Sequence, residues 1–268
     1  MRPNRQIFAM LFLVMNLAFL GCSSERIFAP NTSPSQLPTL YPTYTPYPTY
    51  TPYPTTPPTP TPSPTEVFSA PILTAIEGRS PDFSLSPASW EEGAPPPDRT
   101  VKKQFVNGQW IFEQTPTGFS RIVIPGLSYT NFVLTVDITS IDSPADTAFS
   151  IYWRFSAAGE YRVYLTMDFS KWSTQHVSYT EGIDPPEQRS GVITNAHAPG
   201  SPNTLMLVAY GQHHVVYLNG VPFYFMDDGH YPNGTIGFTL DGSSRAWKIS
   251  FGNLQVWNLD KIPGLPQK

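Results

Sequence analysis

From about Phe68 onward the chain alternates apolar and polar residues in short runs broken by Gly, Pro, Asn and Asp, and no stretch carries a convincing helical period. A period of two is the mark of half-buried strands, because successive side chains point to opposite faces. Between Asn131 and Ile141 it sets Phe132, Leu134, Val136 and Ile138 against Thr135, Asp137 and Thr139. Thr147 to Phe155 repeats it, with Phe149, Ile151, Trp153 and Phe155 on one side and Ser150, Tyr152 and Arg154 on the other. A loop containing Gly159 leads into Tyr161 to Asp168, where Tyr161, Val163, Leu165 and Met167 face the same core, so these two runs predict a hairpin. Thr204 to Tyr210, Val215 to Leu218 and Val221 to Met226 follow, turning at Tyr210-Gly211-Gln212 and at Asn219-Gly220, the latter the strongest short turn signal in the chain. Thr235 to Leu240 and Lys248 to Leu259 supply the last strands. About ten to thirteen strands at this spacing predict an all-β fold, a two-sheet antiparallel sandwich or jelly roll.

Ahead of this domain lie two segments of other character. Arg2 and Arg5 precede an uncharged, mostly apolar run from Ile7 to Leu20, then Gly21 and Cys22. A basic start, a short apolar run and a small residue before a cut make a secretory signal over residues 1–21. The run of about 14 residues is short for a spanning helix, which needs about 20; the alternative is an uncleaved short anchor. Phe19-Leu20-Gly21-Cys22 resembles the bacterial lipobox, though that motif usually has Leu where Phe19 stands and a small residue where Leu20 stands. The resemblance implies that Cys22 is diacylated and becomes the first residue of the mature chain. Lipid chains contribute about 0.8 kcal/mol per buried methylene, and two or more anchor stably where one does not.

Residues 22–67 then form a tether. No charge occurs between Ile27 and Thr65, and Thr-Tyr-Thr-Pro-Tyr-Pro appears twice in tandem, from Thr43 and from Thr49. Proline fixes φ and biases the preceding residue toward extended geometry, so a disordered, polyproline II-like spacer is expected. At about 3.1 Å per residue, Ala29 to Thr65 reaches on the order of 110 Å when extended. The interleaved tyrosines also suit a proline-recognition groove, and the threonines suit glycan attachment.

Composition narrows the partners. Setting aside Arg2, Arg5, Arg26, Glu25 and Glu66 leaves 13 basic against 18 acidic residues in the domain at 68–268, a net charge of about −5. That argues against nucleic acid, which selects clustered Lys and Arg. A single cysteine permits neither an intramolecular disulfide nor a cysteine metal cluster.

Certain stretches carry a family resemblance. They are Pro81-Asp82-Phe83 followed by Ser89-Trp90, Asn107-Gly108-Gln109-Trp110, Phe132 to Asp137, Tyr217 to Pro222, Asn233 to Phe238, and Ile249 to Trp257. Together they resemble the concanavalin A-like lectin/glucanase superfamily, and within it bacterial keto-disaccharide hydrolase-type jelly rolls. The resemblance implies two curved antiparallel sheets, often with a glycan on the concave face. It marks a fold and not a reaction.

Glucanases of that superfamily set acids alternately along one strand, Glu-x-Asp-x-x-Glu, so that two carboxylates share a face at the roughly 5–5.5 Å a retaining mechanism needs. The only crowded acids here are Glu181, Asp184 and Glu187, interrupted by Pro185 and Pro186, which a central strand does not tolerate. Glu91-Glu92 and Asp227-Asp228 are adjacent pairs and diverge in a strand. His213-His214 diverge likewise, and His176, His197 and His230 are single. No metal site and no cofactor is expected from these spacings. Calcium, common in the superfamily, would draw on loop oxygens such as those of Asp142 to Asp146 and Asp227-Asp228.

The expected site lies on the hairpin. With Phe155 opposite Tyr161, the outward ladder pairs Arg154 with Arg162, Tyr152 with Tyr164, Ser150 with Thr166 and Ala148 with Asp168. Directly opposed like charges are unfavourable, so a carboxylate, an anionic ligand group or stacking on tyrosine must offset them. Tyr152, Arg154, Arg162, Tyr164 and Asp168 are then candidate ligand-binding residues, with Trp172, Gln175 and Tyr179 extending the face. Aromatic rings pack on sugar C–H faces and guanidiniums read hydroxyls; the alternative is a solvated polar face. The expectation is an extracytoplasmic lipoprotein, held to a bacterial membrane through lipid on Cys22, presenting a non-catalytic carbohydrate-binding or adhesive module. A glycoside hydrolase or lyase with an unrecognised site, or a structural envelope protein, are the alternatives.

Overall fold

The computed structural model describes residues 63–87, 101–114, 119–144, 147–179, 188–241 and 245–265. All belong to one compact unit, Thr59–Lys268. The signal segment, Cys22 and nearly all of the tether lie outside the described residues, as do Trp90 and the acids Glu91, Glu92, Glu181, Asp184 and Glu187.

Two antiparallel sheets form a jelly-roll sandwich. The elements in order are α1 (Pro64–Ile76), β1 (Phe83–Ser84), β2 (Val101–Val106), β3 (Gln109–Gln114), β4 (Phe119–Ser128), β5 (Phe132–Asp142), β6 (Ala148–Phe155) and β7 (Gly159–Thr166). They continue as β8 (Lys171–Ser178), β9 (Ser190–Val192), β10 (Asn203–Tyr210), β11 (His213–Leu218), β12 (Val221–Asp227), β13 (Thr235–Asp241), β14 (Trp247–Asn258) and a 3-10 turn at Leu259–Lys261. One sheet has the order β12-β11-β10-β5-β14-β3-β2, with β1 also paired to β14; the other runs β4-β13-β6-β7-β8-β9. Neighbours in sequence are often distant in the sheet, as β5 beside β10 and β14 shows, so strand order here is a tertiary property.

Between the sheets lies the core foreseen from the alternation. Phe132, Leu134, Val136 and Ile138 of β5 meet Phe149, Ile151 and Trp153 of β6 and Tyr161, Val163 and Leu165 of β7. Full burial of one such side chain contributes about 1.5–3 kcal/mol. The turn at Asn219-Gly220 joins Leu218 to Val221 directly, with φ of 48° and 80° at its two residues, as a two-residue hairpin requires. Asn107-Gly108 turns β2 into β3 in the same way.

α1 was not anticipated by the strand pattern. It covers the other face of the eight-stranded sheet, where Ile72 is buried among Val133, Val208, Tyr210, Val215 and Tyr217, flanked by Phe68, Leu73 and Ile76. Phe68, Ile72 and Ile76 recur at intervals of four, the helical face period. Pro71 obscured it, since proline in a helix interior removes a hydrogen bond, whereas Pro64 stands at the first helical position, where proline fits. The helix therefore begins within the span assigned to the tether. Beyond it the chain is stitched to the end of β14: Trp257 Nε1 donates to the Arg79 carbonyl at 3.0 Å, and Lys261 pairs with Asp82 at 2.6 Å.

Candidate functional site

The hairpin of β6 and β7 has a register two residues away from the expected one. Trp153 stands opposite Tyr161, Tyr152 opposite Arg162, Ser150 opposite Tyr164 and Ala148 opposite Thr166. A slip of two keeps every side chain on its face, so Tyr152, Arg162 and Tyr164 do share the outer face of the six-stranded sheet. Arg154 does not. Its φ of 53° puts it in the left-handed region, and the register of β6 against β13 shifts here, with Thr235 opposite Phe155 but Gly237 opposite Tyr152. Two residues of β6 thus face one of β13, a β-bulge that re-aims the side chains beyond it. Gly234 lies against the bulge at φ 151°, where a Cβ would strike the backbone of Arg154 and Phe155.

The bulge corrects two expectations. Phe155, expected in the core, packs beside Tyr152 and Tyr179 on the outer face. Arg154, expected on that face, turns inward and is 1% exposed. Its Nη2 donates to the carbonyls of Thr130 and Gly211, each at 2.7 Å, and its Nη1 to the carbonyl of Tyr231 at 3.0 Å. One cation therefore ties the β4–β5, β10–β11 and β12–β13 connections together. The opposed arginines and their repulsion do not exist.

Beside Arg154 lies a buried polar cluster. Trp153 Nε1, which is only a donor, points at His214 Nδ1 at 3.1 Å, so the proton of that imidazole sits on Nε2 and is donated to the Asp228 carbonyl at 3.0 Å. Burial, and then the Arg154 charge, push the His214 pKa down to about 3, so the ring is neutral. Asp228 accepts from Tyr161 Oη at 2.7 Å and from the His230 backbone at 2.8 Å. Burial pushes its carboxyl up, yet those hydrogen bonds prevail and hold it below the usual range. His176, depressed chiefly by burial, borders a cavity of about 10 Å³ with Trp153, Tyr161 and Tyr224. Among the described residues no group of three or more His, Cys, Asp or Glu side chains is placed to hold a metal.

The outer face of the six-stranded sheet carries a second network, centred on Glu160. Glu160, Arg162 and Tyr164 alternate along β7 and so project together. The fully buried Glu160 carboxylate accepts from Arg162 and, at 3.0 Å, from Arg121 of β4. Arg121 also lies 4.6 Å over the Tyr152 ring and 4.3 Å over the Phe155 ring. Tyr152 is laid flat across Gly237, with its hydroxyl on the Ile122 carbonyl at 3.2 Å. Arg162 Nη1 donates to Tyr164 Oη at 2.6 Å, and Tyr164 Oη donates to Gln175 Oε1 at 2.8 Å. Glu160 Oε2 and Arg162 Nε are buried without a hydrogen-bond partner, an acceptor and a donor left on adjacent groups.

The relay ends at a cavity of about 340 Å³. Tyr164, Ser173, Thr174 and Gln175 of β7 and β8 form one wall, and Gln188, Arg189 and Ser190 the other. Of the expected residues, Tyr164 and Gln175 line it, with Arg162 bonded behind. Asp168 instead caps the β7–β8 turn, accepting from Thr166 Oγ1 at 2.6 Å and from the Ser170 backbone at 3.0 Å. Partial burial raises its carboxyl, but these bonds outweigh that and hold it low. Trp172 turns inward onto Phe223 and Tyr224, ring centroids 5.6 and 5.4 Å away, because its neighbour in β7 is the core residue Leu165. Sequence reasoning missed Arg121 and Glu160. Starting β7 two residues earlier would have exposed the Glu160-x-Arg162-x-Tyr164 spacing.

Asp241 is a further acid on this face among the described residues; burial raises its pKa, partly offset by Arg162. The registers place it beside Ala148, hence level with Thr166, six residues along β7 from Glu160. That is roughly 20 Å of strand, with Arg162 between, against the 5–9.5 Å between carboxyls that glycoside hydrolysis uses.

The sequence matches no protein-family model, and no curated protein matches it. Similar solved structures include a carbohydrate-binding module from Bacillus subtilis, at 16% identity over 55% of this chain and 86% of that one, with a TM-score of 0.42. Sheep galectin-11 matches at 9% identity, over 53% and 97% of the two chains, with a TM-score of 0.35. LamAcat from Zobellia galactanivorans matches at 11% identity, over 69% and 100%, with a TM-score of 0.45. At these values the assignment of fold rests on the chain's own strand order.

Proposed function

We propose that the chain is an extracytoplasmic lipoprotein whose β-sandwich binds carbohydrate without turning it over. The observation that carries this reading is the cavity of about 340 Å³ whose wall is the Tyr164–Gln175 pair, backed by Arg162 and Glu160. Its volume is in the range of small-ligand sites. Its lining is hydroxyls, amides and a guanidinium around a tyrosine ring, groups that match alternating hydroxyl and C–H surface. With its carbonyl oxygen engaged by Tyr164, Gln175 has an amide N–H pair to offer a ligand. The wide separation of Asp241 from Glu160 favours binding over hydrolysis.

A glycan array probed with the full chain tests the reading. Retention of at least one glycan without release of reducing sugar, weakened about tenfold or more by Tyr164→Ala or Gln175→Ala, is expected. Release of reducing sugar would replace it with the hydrolase reading, and no retention on a broad panel would leave a structural role. The anchor has a separate test. Cys22→Ser should move the protein from the detergent phase to the aqueous phase, and unchanged partitioning and mass would refute lipidation.

A further inference from the structure

Resting on that reading, we infer that the cavity under Tyr164 selects glycans bearing an anionic oxygen substituent, a carboxylate or a sulfate, and that Arg189 is the residue that recognises it. Arg189 is the one charged side chain in the cavity lining; the others are Tyr164, Ser173, Thr174, Gln175, Gln188 and Ser190. The remaining described arginines all have partners. Arg79 donates to the Ala75 carbonyl, Arg121 and Arg162 to Glu160, Arg154 to three carbonyls, and Arg245 lies 4.0 Å from Asp142. Among the described residues, no carboxylate lies within ion-pairing distance of the Arg189 guanidinium.

Its backbone is nevertheless fixed. Arg189 N donates to Thr174 Oγ1 at 2.9 Å, and Thr174 N donates to the Arg189 carbonyl at 2.8 Å. A guanidinium carried on a pinned backbone loses less freedom on binding than one on a free loop. Its planar fork fits carboxylate or sulfate oxygens in a bidentate manner. Arg162, its charge met by Glu160, stands on the far side of Tyr164 and is bonded to the hydroxyl that donates to Gln175, which fixes that wall of the cavity. The domain as a whole is acidic, by 18 to 13 residues. An anionic polymer therefore gains no general attraction from the net charge of the domain, and its recognition must come from a local cation such as Arg189.

The test uses the full chain, with affinity measured calorimetrically for three probes: an oligogalacturonate, a sulfated galactan oligosaccharide and a neutral galactan oligosaccharide. One anionic probe is expected to bind about tenfold to a hundredfold more tightly than the neutral one, a margin that shrinks as salt rises. Whichever anionic probe wins tells carboxylate from sulfate. Arg189→Gln should reduce the anionic-to-neutral ratio to near one, and Arg189→Lys should retain part of it. An unchanged urea midpoint in both variants excludes misfolding as the cause. Equal affinities for all three, or a preference that survives Arg189→Gln, would overturn the inference and leave carbohydrate binding standing. Failure of every probe, together with an empty glycan array, would overturn both.

Discussion

Arg154 and Arg162 sit on adjacent strands of the same hairpin, yet the two are stabilised by opposite means. Arg154 lies inside the sandwich and is solvated by three neutral carbonyls from three connections. Arg162 lies on the outer face and is neutralised by Glu160, with Tyr164 as its second partner. The first network ties three connections together and borders only a cavity of about 10 Å³. The second leads through Tyr164 and Gln175 to the cavity with Arg189. A buried cation without a carboxylate is therefore an architectural device here, whereas the ion-paired one belongs to the candidate site. The two networks should respond differently to the same perturbations.

The largest effect is expected at Arg154. Arg154→Ala leaves three carbonyls without their donor and opens space at the bulge, which should cost about 3–5 kcal/mol, read from urea unfolding. Arg154→Lys should lose less. A midpoint in Arg154→Ala equal to that of the unaltered chain would show that the three connections do not depend on this residue. Glu160→Gln comes next, at about 2–3 kcal/mol once the water that reaches Arg121 is allowed for. Adding Arg121→Gln to it should cost less than the two separate losses summed, because both act on one network.

Acid should act on the inner cluster first. His214 titrates at about 3 in the folded chain, against about 6.5 unfolded. The unfolded state therefore binds the extra proton between those values, and stability is lost as pH falls below about 6.5 toward 3. His176 is shifted in the same direction. Asp228 and Asp168, held low in the fold, add further loss as pH drops through the carboxylate range. Stability obtained from thermal melts should fall by roughly 1–2 kcal/mol between pH 6.5 and pH 5; a flat or rising profile would contradict a neutral buried imidazole. The smallest expected change is Tyr164→Phe, about 1 kcal/mol of stability from the lost hydroxyl relay. It should nonetheless weaken glycan binding severalfold, and a loss of stability with binding intact would move Tyr164 out of the site.

Much of this molecule was legible before any coordinates. Alternation in β5, β6 and β7 named the core residues apart from Phe155, and Asn219-Gly220 named its turn, because period and turn chemistry act over a few residues. The helix was half-legible, with Phe68, Ile72 and Ile76 at the right interval and the interior Pro71 concealing it. Of the candidate site, Arg162 and Tyr164 were read correctly as sharing a face, while Glu160 was lost to a strand boundary placed slightly late.

The chain by itself determined most of the strands, most of the core positions and where the tight turns fall, since each follows from local spacing and propensity. Only the tertiary structure decided the slip of two at the β6–β7 pairing, the bulge at Arg154, the reach of Arg121 from β4 to Glu160 and the pairing of β7 with β8. A left-handed arginine is unfavourable locally and persists because carbonyls from three remote connections converge on its guanidinium. No window of sequence around Arg154 contains them.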